Sequence, residues 1–234
     1  MRMWLELALP LLLSFPSLML LQHYGWDIII SRWFFDAATG YFPLSDNWWF
    51  KHMLHDDVRR FAVALLCMLL IAVVSSHVCR SIFPYRRMLW QLLAAVALSA
   101  LVIFLIKRLS YPACPYELQL FGRDQAMVGI FDMIPAGYKP GHCWPGGHGS
   151  IAFSLFALYF AARDASRKRL ALGLLAFVLL FGLALSVAQV ARGMHFVSHQ
   201  IWTALICWYL TWLLYQIFNC WYRAARAPIV HAHG

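Results

Sequence analysis

The sequence predicts an all-α polytopic membrane protein, a six-transmembrane-helix bundle with interfacial helices on its outer side. Three observations predict it. Hydrophobic residues make up 62% of the chain and charged residues only 12%, about half the charged fraction of an average soluble domain. Apolar runs near the roughly 20 residues needed to cross a hydrocarbon core recur along the chain. The Lys and Arg residues sit mostly in short clusters between those runs, which is how membrane topology is encoded. A soluble chain of 234 residues could not hide this much apolar surface, whereas lipid solvates the exterior of a membrane protein. The length allows one domain, 1–234.

The runs are 4–22, 60–78, 88–106, 149–162, 170–188 and 200–219. The first carries Glu6 and Pro10 and lacks a clear small-x-small cleavage site, so it reads as a retained helix rather than a signal peptide. The fourth is short, and either extends back to about Gly146 or tilts. Between the first two runs, 23–59 mixes Trp26, Trp33, Phe34, Phe35, Trp48, Trp49 and Phe50 with Asp and Arg. That composition belongs at the membrane–water boundary, in one or two helices lying in the membrane plane. These helices either anchor the fold or wall a lateral entrance for a lipid. No internal repeat is visible.

Placing the N-terminus inside puts Arg2, the 79–87 and 163–169 loops and Arg223 and Arg226 on one side. The segments 23–59, 107–148 and 189–199 then lie on the other. Lys and Arg divide almost evenly, but the inner set occupies much shorter segments, and short loops weigh most. The outer set shares its side with eight of the ten acidic residues. The formal charge of +9 carries no basic helix or basic-aromatic strand pattern, so no nucleic-acid partner is expected.

Three outer-face segments could carry chemistry. Lys107 ends the third run and is followed by Arg108 and Cys114-Pro115. Pro145-Gly146-Gly147-His148-Gly149-Ser150 opens the fourth run. Small residues before a helix leave backbone N–H groups free to hold an anion, with His148 on the first turn able to give or take a proton. The competing reading is a helix cap with an interfacial histidine. Gln189, Arg192, Gly193, His195, Phe196, Ser198 and His199 link the last two runs. In a helix, Arg192, His195 and His199 would share a face. His199 could then hold the second nitrogen of a nucleophilic His195, and a nearby cation would stabilise a transferring phosphoryl group. The same residues also fit a basic cluster for anionic headgroups. Two histidines four apart can chelate zinc, but no Glu follows the first, and no metal or cofactor is expected. Of six cysteines only Cys114 and Cys143 lie outside, each flanking a motif. An oxidising compartment would permit a bridge between them, the alternative being two buried thiols.

Together these segments resemble the type 2 phosphatidic acid phosphatase superfamily, in its membrane lipid phosphatase branch. The family pattern is Lys-x6-Arg-Pro, Pro-Ser-Gly-His and Ser-Arg-x5-His-x3-Asp, and the resemblance covers 107–199. Lys107 has the first spacing, with Cys114 at the Arg position. Pro145-Gly146-Gly147-His148 matches the second, with Gly146 for Ser. In the third, aligning His195 with the nucleophilic His puts Gln189 at the Arg position and His199 at the Asp position. Anchoring on Arg192 instead puts Ser198 at the His position. The resemblance implies a two-step phosphoryl transfer without metal or cofactor. His195 attacks phosphorus, His148 protonates the leaving oxygen, His199 assists, and Lys107, Arg192, Gly146, Gly147 and Gln189 hold phosphate oxygens. With the topology above, the expected substrate is a lipid-linked phosphate or pyrophosphate at the periplasmic face of a bacterial inner membrane. A lipid phosphotransferase, or a non-catalytic lipid-phosphate binding or transport protein, is the alternative.

Overall fold

In the computed structural model, residues 2–50 and 57–226 are described. The Lys51–Asp56 part of the aromatic 23–59 segment therefore lies outside the described residues, as do the side chains of Arg2, Arg223 and Arg226, which entered the orientation argument. The described chain is helical, with only isolated bridges at Asp36–Tyr41 and Leu118–Gln125. The helices are α1 (Arg2–Leu18), α2 (Trp26–Arg32), α3 (Val58–Val78), α4 (Arg86–Leu109), α5 (Gly149–Phe153), α6 (Phe156–Asp164), α7 (Lys168–Ala191) and α8 (Val197–Arg226). A π-helical stretch, Met19–His23, prolongs α1.

Among the described residues, five helical spans are long and apolar enough to cross a membrane: Trp4–His23, Val58–Val78, Phe83–Leu109, Lys168–Ala191 and Val197–Tyr222. Their outward faces carry Leu12, Ile71, Leu180 and Leu183, each more than half exposed. Such surfaces need lipid around them. The protein is an integral membrane protein. The run at 149–162, expected as one helix, is instead broken between α5 and α6. Ser154 marks the break; its Oγ donates to the Ile151 carbonyl at 3.0 Å, a local bond that competes with the helical ladder. At about 1.5 Å per residue, the longer piece reaches only about 14 Å.

Those two short helices form the centre of the bundle, packed against α4, α7 and α8. Phe153, Phe156, Phe160, Val178, Trp208 and Tyr215 make the principal core. Close helix approach depends on small residues. A Cβ at Gly182 of α7 would lie 2.1 Å from the Phe153 ring of α5. Some core hydroxyls bond within their own helices, as with Ser186 Oγ to the Gly182 carbonyl (2.6 Å) and Thr211 Oγ1 to that of Cys207 (2.8 Å).

Two anchors fix α1 to the bundle. Pro10 has no N–H, so the Glu6 carbonyl loses its helical partner. Trp208 Nε1 donates to that carbonyl at 2.9 Å, and Tyr209 OH donates to the Leu7 carbonyl at 2.6 Å. At the same end, Glu6 pairs with Arg163, and Asp164 binds Arg87 (3.2 Å) and accepts from Tyr215 OH (3.1 Å).

A cap of loops closes the opposite end. Phe35, Phe42 and Phe121 meet in tilted and edge-to-face contacts with centroids 5.1–5.2 Å apart, over Phe196, Ala113 and Leu118. The aromatic segment thus divides by residue type. Phe34, Phe35 and Phe42 pack inward, while Trp33, Trp48 and Trp49 are exposed.

Candidate active site

All three sequence segments meet beneath this cap. Lys107 lies in the last turn of α4, and its carbonyl accepts from Ser110 Oγ at 2.9 Å, which helps end the helix. Arg108 turns away, exposed, with its guanidinium 5.5 Å from the Phe104 ring centre. Beyond α4 the chain runs extended, and residues 141–143 return alongside it. Gly141 N–H donates to the Tyr111 carbonyl and Cys143 N–H to that of Pro112, both at 2.9 Å. Gly141 is required there, since a Cβ would come 2.3 Å from the Ala113 Cα. Cys114 and Cys143 are joined by a disulfide between the two segments.

The Gly146–His148 turn docks on the first turn of α8. Gly146 N–H donates to the His199 carbonyl at 3.3 Å, and Thr203 Oγ1 donates to the Gly146 carbonyl at 2.9 Å. Ser150 Oγ closes the turn on the Gly147 carbonyl at 2.7 Å. A Cβ at Gly146 would lie 2.5 Å from Gln200 Nε2, and one at Gly149 2.7 Å from Gln200 Oε1. The Gln200 amide thus fills the space beneath the turn. Nothing lies within 4 Å of the Cβ position at Gly147.

The link between α7 and α8 is not a continuous helix, so Arg192, His195 and His199 do not share one helical face. Arg192 caps α7, His195 stands in the link and His199 lies on α8. The break is made at Gly193, at φ +70°, a conformation that favours glycine. A Cβ there would also lie 2.5 Å from the Phe42 ring. The start of α8 is held from far away, because Asp27 of α2 is buried and its Oδ1 accepts the Ser198 N–H at 3.0 Å. The Val197 N–H and the Ser198 hydroxyl also bond to this carboxyl. A carboxylate at a helix start satisfies N–H groups that have no helical partner. Burial nonetheless raises the Asp27 pKa above its ordinary value, the hydrogen bonds opposing it.

His195 and His199 are both buried, with ring centres 6.0 Å apart. The Nδ1 atom of His195 lies 3.3 Å from Cys143 Sγ. A disulfide sulfur has no proton, so the imidazole N–H is the donor in that contact. Burial first, and then the positive charge of Lys107, hold the His195 pKa well below its ordinary 6.5, with His199 and His148 adding to the effect. The imidazole is therefore neutral at pH 7, with a lone pair to offer. That Lys107, His148 and His199 all act on His195 places the three segments within electrostatic reach of one another. Gln189 is fully buried, and its Nε2 has no hydrogen-bond partner among the described residues. The same holds for Nδ1 of His199. Arg192, also buried, lines a neighbouring cavity of about 260 Å³ with Arg123, Tyr116, Asp46, Phe42 and Met194.

Cys114, Cys143 and His195 place three possible metal-ligand atoms within 4.8 Å of one another. Both sulfurs are spent in the disulfide, so they are not thiolate ligands in this state. Asp27 and Gln200 escaped the sequence reading. Neither belongs to a spaced motif, and only their contacts reveal them.

Searches of curated proteins and of solved structures each return no match. The family model of the PAP2 superfamily matches residues 88–223, from α4 into α8 and across all three segments, which is more than half of the chain. Members of this family are phosphatases acting on phosphorylated substrates. The chain belongs to the PAP2 superfamily.

Proposed function

We propose that the protein is a membrane phosphatase that hydrolyses a lipid-linked phosphate or pyrophosphate through a phosphohistidine on His195. The observation that carries this reading is the neutral, buried imidazole of His195, set among Lys107, His148 and His199. Its Nδ1 is engaged with Cys143, so Nε2 is the attacking atom. In the first step Nε2 bonds to phosphorus, the ester P–O bond breaks, and His148 gives its proton to the leaving oxygen. In the second, His148 takes a proton from water, the hydroxide attacks phosphorus, and the P–N bond breaks to free His195. Lys107, the Gly146–Gly147 backbone and Gln189 stabilise the charge on the equatorial oxygens. His199, its ring centre 6.0 Å from that of His195, completes the catalytic group. No metal enters these steps.

The sixth crossing in this reading is α5 with α6, which together run from the site to the Arg163 end of the bundle. The exposed tryptophans of the 23–50 segment then lie at the outer boundary, and the site faces the periplasm of a bacterial inner membrane. Lipid A, a polyprenyl pyrophosphate and phosphatidylglycerol phosphate are the substrate candidates.

Neutral residues at both family arginine positions, Cys114 and Gln189, favour a second reading: a protein that binds or transports lipid phosphates without turnover. One experiment separates the two. Purified protein is given a panel of these lipids, and inorganic phosphate release and acid-labile phosphoenzyme are measured with and without vanadate. Vanadate-sensitive release, absent in His195→Ala, supports hydrolysis. Binding of the lipids without release supports the second reading, and transfer to a lipid hydroxyl in place of water identifies a phosphotransferase.

A further inference from the structure

We propose that the Cys114–Cys143 disulfide is the positioning element of His195, and that turnover therefore depends on this bond staying oxidised. The inference rests on the reading of His195 as nucleophile and goes beyond it. A nucleophilic imidazole needs its second nitrogen held, so that the attacking lone pair keeps one direction. The His199 ring stands 6.0 Å from that of His195, centre to centre, and its Nδ1 has no hydrogen-bond partner among the described residues. The group against Nδ1 of His195 is Cys143 Sγ, at 3.3 Å. The Cys143 backbone also acts on the His195 ring. Cys143 is fully buried, and its sulfur is tethered to Cys114, the residue next to Pro115 at the turn after α4. The tether thus ties the Lys107 segment, the approach to the His148 turn and the nucleophile into one unit.

The fold has other means of keeping these segments together. Backbone bonds from Gly141 to Tyr111 and from Cys143 to Pro112 remain when the disulfide opens, and so does the Gly146 bond to His199. Loss of the tether should accordingly loosen the imidazole without unfolding the protein. A dithiol attacks at Cys114, the less buried of the two residues. Its thiolate attacks Cys114 Sγ, the Cys114–Cys143 bond breaks, and Cys143 leaves as a thiolate that takes up a proton. The second thiol then closes the reagent into its own cyclic disulfide and frees Cys114 as a thiol. Two electrons and two protons pass to the protein in all.

The test uses the full chain in detergent or nanodiscs, reduced with a dithiol, with alkylation and mass measurement to count the thiols. Phosphoenzyme formation is followed in a single turnover on whichever lipid phosphate the wild type cleaves. A misplacement near 1 Å slows such a step about 10²-fold. The expected result is a rate lower by about that factor with the phosphoenzyme amplitude unchanged, and recovery on reoxidation. Cys114→Ser, which keeps the Cys143 sulfur but removes the tether, should show the same slow rate and ignore the dithiol. An unchanged rate after two new thiols are counted overturns the proposal. So does a loss of amplitude in step with loss of folded protein, because that is a stability effect and not positioning. If His195→Ala turns over like the wild type, the nucleophile assignment fails first. If His195→Ala is inactive but the reduced enzyme is fast, only the present inference fails.

Discussion

Restoring serine at position 146, where the family pattern has it, should damage this protein, because Gln200 occupies the space. A Cβ at Gly146 falls 2.5 Å from Gln200 Nε2 and 2.7 Å from Cδ and Oε1, against the 3.4–4 Å of ordinary contact. About 1 Å of movement is therefore needed. The amide is also wedged against Gly149 and within 3.4 Å of Ser186 Oγ, so it has little room to retreat. The turn must lift instead, which stretches the Gly146 bond to His199 that already measures 3.3 Å. Overpacking of this kind destabilises by about 1–3 kcal/mol. A shift of that size at a reacting group lowers turnover by about 10²-fold. The assay is a double-mutant cycle of Gly146→Ser and Gln200→Ala, read by phosphate release and by thermal unfolding. In the double variant the serine gains the vacated space, and at least about tenfold of the lost rate returns, corresponding to a coupling of about 1.4 kcal/mol or more. Full activity in Gly146→Ser, or strictly additive losses in the double variant, would refute the steric argument.

Other expectations follow from the same geometry. The depressed His195 pKa means that protonation of the nucleophile sets in only well below pH 6.5, so phosphoenzyme formation holds its rate from neutral pH down past that value. Burial is the main cause and Lys107 the second, so Lys107→Met should slow the reaction and also move the acid limb upward; a limb at 6.5 in the wild type contradicts this. Asp27→Ala removes the cap of α8 and should cost about 1 kcal/mol, read as a fall in melting temperature together with a lower rate. Because burial raises the Asp27 pKa, its contribution to stability is greatest below the ordinary 3.8 and is lost as pH rises through the folded value. Asp27→Asn should flatten that part of the melting curve, measured from pH 3.5 upward. Phe42→Ala strips the ring from above Gly193 and from the Phe35–Phe121 cluster, and should destabilise the cap by about 3–5 kcal/mol. Trp208→Phe leaves the Glu6 carbonyl opposite Pro10 without its donor, a loss of about 1 kcal/mol to be seen in thermal unfolding.

Most of the fold was legible because membrane helices announce themselves locally. Length and apolarity of a run suffice, and five of the six expected runs are long helices. The fourth reads as apolar but not as broken, because apolarity does not report the Ser154 bond that interrupts it. The motif residues Lys107, His148 and His195 were legible as types at spacings, and the order of crossings placed them at one end. Arg192 shows the limit of spacing. Its offset from His195 suggested a shared helical face, but Gly193 turns the chain between them and Arg192 lines the neighbouring cavity.

The sequence by itself determined the helical class, the membrane setting, the family and the residues that could do chemistry, since each is written in composition, run length or short motifs. Only the tertiary structure decided what surrounds those residues. Asp27 caps α8 across 171 positions, Cys143 meets His195 across 52, and Gln200 explains why position 146 holds glycine. Such contacts join segments far apart in the chain, and they obey no periodicity. They follow from how helices pack and where loops return, which no local pattern encodes.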